Sequence, residues 1–405
     1  MPIIGEKTLI LPLITRKEMN IILYDEHAVW ADLLPITFTR PIAAIRVGID
    51  TIAEKWQALL PGTYSWGVSE DYLREMYPAE GADDTDTVFI AGNVIPDASL
   101  AARIADLRSG QALIDSRGRI VAHRGATTTE RIEFNTEVHS IEQLYDIFMF
   151  NGEQIKADFA RLTPGRTSQP ISATNTVIGD PSLIFIEEGA TVEGAFINTN
   201  GGPVYIGPEA EIMEGSMLRG PIALCSHATV NMGSKIYHDT TIGPFCKVGG
   251  ELNNVVLIGF SNKAHDGFLG NAVVGEWCNI GAGAVASNLK NDYTKIRLWN
   301  YRTGRFERTS LQFCGLIMGD HSKAGINTMF NTATVLGVGV NVHGAGFPRN
   351  FVPSFSEGST AGFTQVPEKK FFDIAERMMA RRGRSMSEPE RRMLTALMND
   401  VKDVK

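Results

Sequence analysis

The chain is poor in cysteine. Four occur in 405 residues, at Cys225, Cys246, Cys278 and Cys314. No two are spaced as C-x-x-C, so neither a zinc site nor a redox dithiol is suggested. Unpaired cysteines fit a reducing cytoplasm, the expected compartment. No apolar run reaches the ~18 residues that a membrane-spanning helix needs, so no membrane partner is expected. Positive charge is not concentrated either. The formal charge is -8 and there is no extended Lys/Arg block, which argues against nucleic acid as a partner. A cleavable leader is not expected: the start, MPIIGEKTLILPLITRKE, has an apolar patch, but Pro12 interrupts it and no small-residue cleavage site follows. Residues 1–18 read as a tag, an over-extended start or a loose tail.

What is present falls into two textures. From 19 to 161 the pattern is mixed α/β. Ile21, Ile22 and Leu23 read as a buried strand. Ile45, Ile49, Ile52, Trp56 and Leu59, spaced by threes and fours, read as one amphipathic helix. TVFIAG (87–92) reads as a second strand. SLAARIADLRSG (99–110) reads as a helix with Gly110 as its C-cap, and ALIDSRGRIVA (112–122) as a hairpin turning at Gly118. Residues 162–170, LTPGRTSQP, form a turn-rich linker.

Beyond the linker, over 171–350, helical periodicity gives way to a six-residue one. Ile206, Ile212, Leu218, Leu224, Val230, Ile236, Ile242 and Val248 recur every six residues. Val274, Ile280 and Ala286 continue the period, and Met318, Ala324, Phe330, Leu336 and Val342 resume it. Small residues such as Ala210, Ser216, Ala228 and Ser234 stand four places after most of them. This is the signature of a β-helix, in which three such strands make one coil and each apolar residue stacks on the one eighteen positions away. Two segments break the period, 249–273 and 289–316, and both read as insertions leaving the coil. The second is rich in Arg, Lys and aromatics, and suits either a subunit-docking arm or a phosphate clamp. Residues 351–405 read as helical, with SEPE (387–390) as a capping box for the last helix.

The run HDGFLGNAVVGEWCNIGAGAVASNLKND (265–292), followed by MGDHSKAGINTMFNTATVLG (318–337), resembles the acetyltransferase half of the GlmU family. The resemblance implies a left-handed parallel β-helix, an exception to the usual right-handed crossover. It also implies a homotrimer. The implied chemistry is acetyl transfer from acetyl-CoA to glucosamine-1-phosphate, then coupling of the product to UTP to give UDP-N-acetylglucosamine. Carried over, His265 becomes the general base that takes a proton from the substrate amine. Asn279, Asn288 and Asn327 become contacts to sugar or acetyl-CoA. The chain departs from the family pattern at Phe268 and Leu289, where tyrosines are usual, and at Asn253, where a lysine is usual. Lys263, Arg297 and Arg302 are candidates to replace that lysine. Asp266, before Gly267, reads as a turn residue.

The N-terminal half resembles a nucleotidyltransferase domain of the same family, without its glycine-rich phosphate loop. Arg40, Arg46 and Lys55 are the candidates to neutralise nucleotide phosphates, and Asp25 the candidate to hold Mg²⁺. Two alternatives stay open beside the bifunctional reading. In one, the β-helix only regulates and oligomerises a single nucleotidyltransferase. In the other, an inert N-terminal domain accompanies an acyltransferase.

Overall fold

The computed structural model describes residues 19–79 and 86–400; the predicted tail, 1–18, lies outside them. The chain opens with β1 (Met19–Tyr24), whose apolar centre is buried. It joins β2 (Gly62–Gly67), β3 (Val88–Ala91), β4 (Gln111–Ile114), β5 (Ile120–Arg124) and β6 (Glu130–Glu133) in the order β2-β1-β3-β5-β4-β6. β1 pairs in parallel with β2 and β3, and β5 runs antiparallel to β3 and β4. The hairpin turning at Gly118 is present.

Two helical expectations change. The run from Ile45 to Leu59 is not one helix: α1 (His27–Asp32) is followed by irregular turns, and α2 begins only at Ile52 and ends at Leu59. Thr51 sets that start through a capping box with Glu54. Residues 46–51 instead form a tight loop, with Gly48 at φ +86° and Val47 N–H on the Asp50 carbonyl. Helix α3 (Ala98–Ala105) is capped by Asp106, and Gly110 serves a later turn into β4 at φ +85°.

After α4 (Asp146–Leu162) the chain winds into a parallel β-helix. The hexad residues point inward and stack in register, for example Ile212 on Val230 and Val230 on Val248, all fully buried. Each such side chain contributes roughly 1.5–3 kcal/mol, which holds the domain without internal helices. β-Pairing runs on to Gln365, followed by α5 (Glu368–Ala380) and α6 (Glu388–Asp400). Glu390 N–H donates to Ser387 Oγ as the SEPE pattern predicts.

The segment 249–273 is not an insertion. It continues the β-helix with shortened coils. Ile236 pairs with Leu252, sixteen residues on. Ile242 pairs with Leu257, and Val248 with Lys263, each fifteen on. The period is lost because the turns contract, while the stack persists through two nine-residue strands, Glu251–Gly259 and Phe268–Glu276.

The segment 289–316 does leave the coil, as an antiparallel hairpin of Arg297–Asn300 with Arg305–Arg308. Its tip fastens to the N-terminal domain of the same chain. Asn300 and Arg302 donate to Asp32, and Tyr301 meets Phe38 edge-on at 5.3 Å. One apolar core runs from the N-terminal sheet through Val256, Val273, Ile317 and Val335 of the β-helix to Leu394 of α6. The domains are thus packed along one face of the prism. Polar contacts reinforce this: Thr241 Oγ1 donates to the Gly48 carbonyl at 2.9 Å, and Asn151 Nδ2 to the Asp239 carbonyl at 2.8 Å.

Candidate functional site

His265 sits at a corner of the β-helix, between inward-facing Lys263 and Leu269. That corner has the usual six-residue step. The corner below it, from Val248 to Leu252, has a step of only four. Gly249 and Gly250 make the short corner possible. A Cβ on Gly249 would lie 2.4 Å from the Ala264 carbonyl oxygen, and one on Gly250 2.8 Å from that of Gly267. The longer corner therefore carries an exposed histidine above a truncated one. Among the described residues its imidazole has no hydrogen-bond partner.

His265 lines a cavity of about 780 Å³ with Asn279 and the backbone of Gly281 and Ala282. Lys247, Lys323, Arg377 of α5 and, just past its end, Arg381 and Arg382 also line it, and no Asp or Glu does. Arg382 donates to Asn262 Oδ1 at 2.5 Å, which fixes the helix end over the strand face, and burial pulls its pKa below the ordinary value. Lys323 Nζ donates to the carbonyls of Trp277 (2.9 Å) and His321 (2.8 Å), and burial lowers it to about 8. A hollow of this size walled by five cationic side chains attracts phosphate.

An aromatic ladder flanks this face at the neighbouring corner. Phe245, Phe260 and Trp277 stack with centroids 5.0 and 4.3 Å apart. His227 extends the ladder at one end and His321 at the other. All five hold φ between +52° and +58°. Left-handed backbone is costly for such residues, and stacking offsets part of the cost. His321 is buried under Phe371 of α5, and desolvation lowers its pKa to about 3.

The remaining candidates are dispersed. Lys263 points into the prism at 2% exposure, stacked after Val248. Its Nζ donates to the Gly249 and His265 carbonyls, and burial lowers it to about 8. It is shut away from any ligand at the surface, where the sequence reading placed a phosphate contact. Asn288 donates to Asn271 Oδ1 at 2.9 Å, at a different corner. Asn327 shares the His265 corner stack, at φ +55°, its N–H on the Ala282 carbonyl. Arg302 is held by Asp32. Arg297, exposed, donates to the Phe306 carbonyl at 3.1 Å in a separate cavity.

None of the three N-terminal cations lines an open phosphate cleft. Arg40 is 4% exposed and forks onto Asp320, at 2.5 Å, with Glu276 at 3.4 Å. Burial works against its charge, and these carboxylates outweigh burial and raise its pKa. Arg46 is buried against the Ile49 carbonyl and Glu54. Lys55 is buried on Asp158. The physical reason is shared: each is buried, and an unpaired buried charge would be too costly. Asp25, at the carboxyl end of β1, accepts from Ile42 N–H at 2.9 Å, while its Oδ2 is buried without a partner. Burial raises it to about 7 against the backbone bonds of Ile42 and Ser69.

The family model for sugar nucleotidyl transferases matches residues 21–167. Three curated relatives are bifunctional GlmU proteins. That of Nostoc is 29% identical over 203 residues, 46% of this chain and 39% of the relative. That of Methanocaldococcus jannaschii is 29% identical over 118 residues, 29% of this chain and 26% of the relative. That of Trichodesmium erythraeum is 32% identical over 109 residues, 26% and 18%. The matched stretches thus span less than half of each relative. Fold and matches define a transferase, with a nucleotidyltransferase-type domain followed by a parallel β-helix of the kind that suits acyl transfer. Within that class the chain is similar to the GlmU proteins at low identity, as a divergent relative would be.

Sequence reasoning missed Lys247, Lys323 and the arginines at the end of α5. Two of these were within reach of the period. Lys247 and Lys323 each precede an inward residue, as Asn279 precedes Ile280, so all three share one outward row. The arginines required knowing where α5 docks.

Proposed function

We propose that the β-helix transfers acetyl from acetyl-CoA to the amine of glucosamine-1-phosphate, with His265 as general base. The observation that carries this is the unpartnered imidazole at the rim of a cavity whose side-chain charges are all cationic. His265 takes a proton from the substrate ammonium. The freed amine attacks the thioester carbonyl, the C–S bond breaks, and the thiolate leaves with a proton. Lys247, Arg377, Arg381 and Arg382 hold phosphates of the donor or acceptor, and Asn279 orients the acyl group. Backbone N–H groups of the corner stabilise the oxyanion. A homotrimer through the β-helix is part of this reading. Its support is the exposed apolar pair Phe196 (48%) and Met217 (50%), register partners on a strand face the N-terminal domain leaves bare.

The second half of the proposal is nucleotidyl transfer from UTP to N-acetylglucosamine-1-phosphate by the N-terminal domain, which makes the protein bifunctional. The family match over 21–167 supports it. This chemistry draws on Mg²⁺, and the described residues do not fit that ion. They contain no group of three His, Cys, Asp or Glu side chains able to hold a metal. Asp25 offers one free oxygen in a setting that favours the protonated carboxyl, whereas Mg²⁺ demands several oxygen ligands. That disagreement, with the paired states of Arg40, Arg46 and Lys55, favours a second reading: an acyltransferase whose N-terminal domain serves as a packing module.

Two assays on the full chain separate the readings. Thiol release from acetyl-CoA with glucosamine-1-phosphate tests the β-helix; none above background overturns the first half. Pyrophosphate release from UTP with N-acetylglucosamine-1-phosphate and Mg²⁺ tests the N-terminal domain, and its absence leaves the packing module.

A further inference from the structure

A second cavity, of about 580 Å³, opens where the 297–308 hairpin leaves the β-helix, and it shares no lining residue with the His265 cavity. Three cations line it, Lys290, Arg297 and Arg349. Ile296, Phe306 and Phe351 add apolar and aromatic surface. No Asp or Glu lines it, in a chain of net charge -8.

None of the three cations is in an ion pair among the described residues. Lys290 Nζ donates to Thr294 Oγ1, and Arg297 Nη2 to the Phe306 carbonyl, both at 3.1 Å. Arg349 is exposed and makes neither a hydrogen bond nor an ion pair there. Like charges drawn to one hollow repel unless an anion joins them. The aromatic wall is also preassembled. Trp299 stacks on Phe351 with centroids 4.0 Å apart and 11° between planes, and meets Phe306 edge-on at 5.3 Å. The size falls in the usual ligand range. Aromatic surface beside three cations in one hollow suits a planar ring joined to phosphates.

We infer that this cavity binds a nucleoside diphosphate moiety, its base against Phe306 and Phe351 and its phosphates on Lys290, Arg297 and Arg349. No residue of the His265 cavity takes part, so with a free nucleotide as occupant the inference stands apart from the acyl-transfer reading, and with coenzyme A it rests on that reading. The moiety has two sources with the same chemistry, a free uridine nucleotide or the adenine nucleotide end of coenzyme A. The hairpin tip is fastened to Asp32 of the N-terminal domain, so an occupant at its base would brace the joint between the two domains.

The test is calorimetric titration of the full chain with UDP, adenosine 3′,5′-bisphosphate and pyrophosphate. The variants are Arg297→Glu, Arg349→Glu and Phe306→Ala. Both arginines are exposed, so the fold should survive their reversal, and circular dichroism checks it. The expected result is that UDP or the bisphosphate binds, and that each charge reversal weakens it at least about tenfold, the loss of one charge-assisted contact. Which of the two binds names the source. Affinity unchanged in both arginine variants overturns the site. Pyrophosphate binding as tightly as UDP, with Phe306→Ala silent, overturns the nucleoside. A shift in sedimentation without a change in nucleotide affinity makes the cavity a subunit contact and overturns the inference as well.

Discussion

The Nζ of Lys263 donates to the backbone carbonyl of His265 at 2.5 Å and to that of Gly249 at 2.9 Å. A cation inside the prism thereby ties the truncated corner to the one that carries the candidate base. An apolar residue occupies the equivalent place in Val230, Val248 and Ile280. A lone buried ammonium is costly, so its bonds to the two corners are the compensation. Lys263→Met should leave the donor KM nearly unchanged and lower kcat by about tenfold or more, since small misplacements of a catalytic group are expensive. Steady-state kinetics with a matched thermal melt checks it. A loss of kcat that tracks a loss of folded protein would reduce Lys263 to a structural residue.

The arginines at the end of α5 should act on binding. Arg381→Glu combined with Arg382→Glu removes two cations from the His265 cavity and leaves the imidazole in place. KM for acetyl-CoA should rise by about tenfold or more, at two charge-assisted contacts, with kcat changed far less. The wild-type KM should also rise with salt. Initial-rate kinetics at two ionic strengths checks both.

Arg40 and Asp320 are 280 positions apart and buried against each other. Asp320→Ala strands a buried guanidinium and should cost about 3–5 kcal/mol, the usual loss when one partner of a buried pair is removed. Arg40→Met with Asp320→Leu should recover most of that. Denaturant unfolding of the wild type, Asp320→Ala and the double variant measures the loss and the recovery.

Two buried groups give stability opposite slopes with pH. Asp25 titrates near 7 when folded, above its ordinary 3.8. The folded state therefore holds the extra proton, and stability falls as pH rises from about 4 to 7. His321 titrates near 3, below its ordinary 6.5. There the unfolded state holds the extra proton, and stability falls as pH drops from about 6.5 to 3. Over the shared range the two effects oppose each other. Asp25→Asn should steepen the acid loss, and His321→Phe, which keeps the stack, should flatten it. Urea midpoints from pH 4 to 8 show whether the slopes change in those directions.

The prism was legible because a six-residue period leaves a trace on every turn, so Ile206 to Val248 could be counted without any tertiary knowledge. Counting failed at 249, where coils of fifteen to seventeen residues replace those of eighteen. There Lys263 fell out of phase and was read as a surface cation. Local patterns with short-range causes survived, such as the Gly118 turn and the Ser387–Glu390 cap. The partners of Arg40, Arg46 and Lys55 were not legible, because charge alone does not reveal a partner, and that of Arg40 lies in the other domain. The cationic cavity was half legible. His265 and Asn279 came from motif and spacing, while Arg377, Arg381 and Arg382 depend on how α5 folds back.

The central claim is that His265 is the base for acyl transfer. The most direct measurement is thiol release from acetyl-CoA with glucosamine-1-phosphate for the wild type and His265→Ala, at saturating substrates and with the melting temperature as control. The expected result is a kcat lower by about 10²–10⁴-fold in a folded variant, the contribution of a positioned base. A folded His265→Ala that turns over at the wild-type rate would contradict it.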